Sequence, residues 1–123
     1  MRSFIFSIPF VFLGASFAQA QPVSWGMAQC SALMEVMETH VSKQPQKDYL
    51  ADAKSLLFDA AVEQSRAEGR DPYELTTIHR VKQSEWEAVG YSMAFKAEFR
   101  DWTDYCRSLA RSYKIALHQS MLR

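Results

Sequence analysis

Little in this chain points to chemistry. Of its 123 residues only two are cysteines, four are prolines and four are glycines, and 14 Lys and Arg balance 14 Asp and Glu. So few prolines and glycines exclude a collagen-like or low-complexity chain. A net charge of zero leaves no basic excess for nucleic acid to read, so none is expected as a partner. No block of like charge marks a disordered tail. The motifs of covalent and metal chemistry are absent too. There is no Gly-x-Ser-x-Gly elbow, no Gly-rich phosphate loop, no Cys-x-x-Cys-His haem attachment and no His-x-x-x-His helix face. The expectation is a protein that is not an enzyme and holds no cofactor.

What is present begins with an address. Met1-Arg2-Ser3 is a short basic start, and Phe4 opens an apolar run that lasts to Phe17. Ala18-Gln19-Ala20 then supplies small residues in a small-x-small order. Together they predict a secretory signal peptide over residues 1–20, cleaved between Ala20 and Gln21. The run falls short of the roughly 20 residues that span a bilayer, and no comparable run follows. The mature chain, 21–123, is thus expected as a single helical domain without stable membrane insertion, in the periplasm or the medium.

Export bears on the two cysteines. An oxidising compartment lets Cys30 and Cys106 pair, and two cysteines permit only one internal bridge.

The mature chain reads as helices. Met27, Cys30, Met34, Met37 and Val41 step by three and four, which predicts a helix over 25–41 with Ser24 as its N-cap. A connection through Pro45 leads to a second helix over 47–68, with Leu50, Ala53, Leu57, Ala60 and Gln64 inward and Gly69 just past its end. Asp71-Pro72 opens a third helix, Asp as cap and Pro in first position, with Glu74 placed to complete a capping box. Its stripe runs Leu75, Ile78, Lys82, Trp86, Val89 and Met93, with the Lys82 amine reaching water past an apolar stem. Residues 90–96 could bend or continue the helix, and a break over 91–95 is the preferred reading. Phe95, Phe99, Trp102, Cys106, Leu109 and Tyr113 then form the clearest stripe, in a fourth helix reaching about His118. The fold expected is all-α: a small up-down bundle of three to four helices stapled by one disulfide.

Four groups are candidates for function. Met34, Met37 and His40 follow one another at three-residue steps, and thioether with imidazole is a donor set for Cu(I), although methionine is also a common core filler. Glu35 and Glu38 lie beside them and read as a solvated flank, and His79 reads as a helix-edge histidine. Arg100, Arg107, Arg111, Lys114 and Arg123 make the last helix locally basic, which suits its C-terminal dipole or an acidic partner. Trp25, Tyr73 and Tyr91 fall near helix ends, where they serve as end caps of the core or as a partner-binding rim.

In plan, an exported helical chain of about a hundred residues with one cysteine pair resembles the small acid-stress chaperones of bacterial periplasms. The likeness is one of size, compartment and cysteine count, and it assigns no residue a role. The function expected is a protein-binding accessory, chaperone-like or inhibitor factor acting on another exported protein. The alternative is a ligand or metal carrier using the Met34, Met37 and His40 face or a cavity between helices.

Overall fold

A computed structural model describes residues 21–122, and among them every regular element is an α-helix or a 3₁₀ turn. The expected leader and its cleavage site, Arg123 and the side chain of Tyr91 lie outside the described residues. Four α-helices follow in order: α1 Val23–His40, α2 Gln44–Ala67, α3 Glu74–Val89 and α4 Ala97–Ser112. A 3₁₀ turn, Gly90–Phe95, separates α3 from α4, and another, Gln119–Met121, lies in the tail. The break expected over 91–95 is there: Gly90 takes φ 71°, which L-residues with a side chain resist, and the helical ladder stops. Among the described residues no helix is long and apolar enough to cross a membrane.

The core is built around α1. Ten of its eighteen residues are buried, whereas α4 buries four of sixteen. A helix buried on most of its circumference is covered from several sides, and α2, α3 and α4 all pack on α1. Met27, Cys30, Leu33 and Met34 are buried as expected; Ala28, Ser31 and Ala32 join them because α1 has more than one inward face. In α2 the inward line is Leu50, Ala53, Leu57, Ala61 and Ser65, so Ala60 and Gln64 move to the flank. Leu33, Leu57 and Leu75 are fully buried, each worth roughly 1.5–3 kcal/mol in apolar transfer.

Cys30 of α1 and Cys106 of α4 form a disulfide with their Cα atoms 5.7 Å apart. Beside it α4 comes close enough that Gly26 lies directly under the Tyr105 ring. A Cβ there would overlap the phenol oxygen, so this glycine sets how near the two helices sit.

Several expected helix ends move. Ser24 is not an N-cap; Pro22 is, and Ser24 is buried inside the first turn. Pro45 belongs to the first turn of α2 rather than to a connection, which proline's fixed φ and missing N–H allow. Asp71-Pro72 forms a lead-in turn in which Asp71 Oδ1 accepts from the Tyr73 N–H at 3.0 Å, and α3 starts only at Glu74. The last helix stops at Ser112 instead of near His118, because Lys114 enters the left-handed region at φ 54°. That reversal turns Ile115 and Leu117 back onto the core, where each is 8% exposed.

Candidate functional site

The N-terminus of α1 meets the C-terminus of α2 at a polar corner. The Ser24 N–H and hydroxyl donate to Glu68 at 3.1 and 2.6 Å, and Gln64 donates to the same carboxylate at 3.1 Å. Glu68 thus acts as a cap supplied from another helix, an anion at the positive end of α1. Burial pushes its pKa up; the hydrogen bonds from Ser24 and Gln64, with Arg70 nearby, outweigh this and hold it below its ordinary value. Glu74 does not complete a capping box. It accepts from Trp25 Nε1 at 2.9 Å and Arg70 Nε at 2.8 Å, and Arg70 also sits 5.2 Å from the Trp25 ring centre. Trp25 is therefore an end cap of the core, one of the two roles anticipated for it, while Tyr73 nearby is 86% exposed.

A second polar group draws on residues of three helices that no single helical period relates. Glu35, read as solvated flank, receives Lys54 from α2 and His79 from α3, each at 3.3 Å, and accepts from Gln83 at 2.9 Å. Three helices meet on one carboxylate. His79 stands edge-on to Phe58 at 5.8 Å, and a cleft of about 360 Å³ opens beside Glu35, Lys54, Phe58 and His79. Burial, helped by Lys54 and opposed by Glu35, lowers the His79 pKa. The signal was present as single charged residues on three helices, but sequence spacing relates residues only within one helix.

The Met face is divided. Met34 and Met37 share the wall of one cavity of about 270 Å³, with Val41, Leu50, Leu117 and Met121. Gln46, Tyr49, Thr103, Arg107 and Ser120 add polar groups to the same lining. His40 does not join this cavity wall; it is exposed at the end of α1, with Nδ1 2.9 Å from the Val36 carbonyl and 3.0 Å from Thr39 Oγ1. The thioether that does join is Met121, from the tail, beyond the reach of any helical period read from α1. Among the described residues no three His, Cys, Asp or Glu side chains gather in a way that could hold a metal ion.

The basic end of α4 has a local use. Arg107 Nε donates to the Met121 carbonyl at 3.1 Å, Arg107 Nη1 to Asp104 at 2.7 Å, and Arg111 to the Leu122 carbonyl. His118 stacks on Tyr49 with ring centres 3.7 Å apart. These contacts strap the tail over the cavity.

Two expectations about the helix stripes are corrected. Phe95, which periodicity assigns to the α4 stripe, is 85% exposed on the 3₁₀ turn, ahead of the first turn of α4. Lys82 is buried rather than lying along the surface, with Nζ 2.9 Å from Glu85 and 4.6 Å from the Trp102 ring centre. No protein-family model matches the chain, and no curated protein or solved structure with which it was compared matches it either.

Proposed function

We propose that the chain is exported through cleavage between Ala20 and Gln21 and serves, in the periplasm or the medium, as a non-catalytic helical protein that binds another exported protein. The Cys30–Cys106 bridge supports an oxidising destination, and the short connections between helices support up-down topology. Phe95 carries the reading of protein binding. It is a large aromatic held almost wholly outside the core at the end of the 3₁₀ turn between α3 and α4, and aromatic side chains are enriched in protein interfaces. In this reading the protein acts as an accessory, chaperone-like or inhibitor factor.

Aggregation of a panel of unfolded exported proteins, followed by light scattering, tests it. Suppression by the wild-type protein that weakens in Phe95→Ser supports the reading; no effect of the wild-type protein on any client counts against it. The chaperone form makes a further demand. Glu68, Glu74 and His79 all have lowered pKa values, so acid withdraws stability, and binding of an apolar dye should rise as the pH falls.

The cavity between α1, α2, α4 and the tail favours a second reading, a small-ligand carrier. Native mass spectrometry of the protein from its own compartment, with and without reductant, tests this: a retained stoichiometric mass supports it, and a bare chain counts against it.

A further inference from the structure

The cavity beneath the tail has a more definite character than its volume alone conveys. Its lining includes the buried Met34 and Leu50 together with Met37, and methionine adapts its shape to an irregular guest. At about 270 Å³ it lies just under the roughly 300 Å³ at which small-molecule sites begin, so it suits a short ligand. One cation, Arg107, is among its lining residues, with its side chain 32% exposed. Arg107 uses Nε on the tail carbonyl of Met121 and Nη1 on Asp104, whose side chain is 75% exposed. A guanidinium carries five N–H donors, so these two bonds leave donors for a further acceptor. Arg111 holds the neighbouring tail carbonyl of Leu122 but does not line the cavity.

A largely apolar lining with a single, partly exposed cation is the recognition pattern for an amphiphile with one anionic end. We propose that this cavity binds a short free carboxylic acid with an unbranched apolar body, its carboxylate on Arg107 and its chain against Met34, Met37 and Leu50, under the strap formed by residues 113–122. The proposal rests on the carrier reading and gives that reading a ligand class. The tail serves as the cover of the site, and Arg107, which binds both tail and ligand, couples closure to occupancy.

Calorimetric titration of the oxidised protein with octanoate and with octanol tests it, since the two differ in the head group alone. Octanoate is expected to bind saturably with one-to-one stoichiometry, and octanol about tenfold more weakly or worse, as loss of a charge-assisted hydrogen bond requires. In Arg107→Gln the preference for octanoate should vanish. In Arg111→Gln, which loosens the same tail without touching the lining, it should persist. Val41→Phe, which fills the cavity, should abolish binding of both while circular dichroism stays helical. No saturable octanoate binding, equal affinity for the two probes, or loss of preference in both arginine variants overturns the proposal. If octanoate fails while the protein from its native compartment still carries a bound mass, the ligand class is wrong and the carrier reading stands. If octanoate fails and the chain is bare, both fall.

Discussion

Glu68 does for α1 what Ser24 was expected to do, and the exchange has a measurable cost. Losing a helix cap costs about 1 kcal/mol, so Glu68→Gln should lower Tm at neutral pH. The difference should depend on pH. The folded carboxyl has a pKa below its ordinary 4.5, so its contribution is present above 4.5 and is lost as the pH falls through the lower folded value. The Tm curves of the two proteins should therefore converge in acid; parallel curves would mean that the carboxylate charge is unimportant there. His79 adds to acid lability above that range. Its folded pKa lies below 6.5, so the unfolded chain takes up the proton first and stability declines as the pH falls from about 6.5. Ser65 offers the opposite experiment. It is fully buried and its hydroxyl has no hydrogen-bond partner, so Ser65→Ala removes an unsatisfied group and adds helix propensity. Its Tm should equal or exceed that of the parent, and a fall of several degrees would show that the hydroxyl is satisfied in solution.

Among the elements, the contact of α1 with α4 is the most exacting. Gly26→Ala should gain up to about 1 kcal/mol in helix propensity, yet the new Cβ meets the Tyr105 ring. The collision is expected to win and the Tm to fall, while Tyr105→Phe, which removes the nearest atom, should make the alanine less harmful. A double-mutant cycle measures that coupling, and additive effects would deny the contact. This juxtaposition also marks how far sequence could be read. The number of helices, the break after α3, the burial of Trp86 and Trp102 and the pairing of Cys30 with Cys106 all follow from periodicity, glycine placement and the count of thiols. What periodicity does not contain is which helix lies at the centre. Hence the burial of Ala28, Ser31 and Ala32, the partners of Glu35 and the nearness of Met121 to Met34 have no signal in the spacing. The helix ends went astray for a related reason: Glu68 caps from another helix, and burial of Ile115 and Leu117 outweighs the strain of a left-handed Lys114.

For the whole molecule, stability depends heavily on one bridge closed over 76 residues of sequence separation. In the chain-entropy model a loop of that length contributes about 4 kcal/mol, a large part of the 5–15 kcal/mol typical of a domain. Cys106→Ala should therefore lower Tm by more than any surface substitution, as should reduction of the wild-type protein; an unchanged Tm would mean that the packing on α1 suffices alone. The bridge also decides what survives damage. Lys96 is exposed, extended and followed by Ala97, between Cys30 on one side and Cys106 on the other. A single tryptic nick there divides the backbone without dividing the molecule: it migrates as one species until reductant releases two fragments. For the life of the bridge, a severed backbone still counts as one molecule, with its two pieces kept at an effective concentration that favours re-docking.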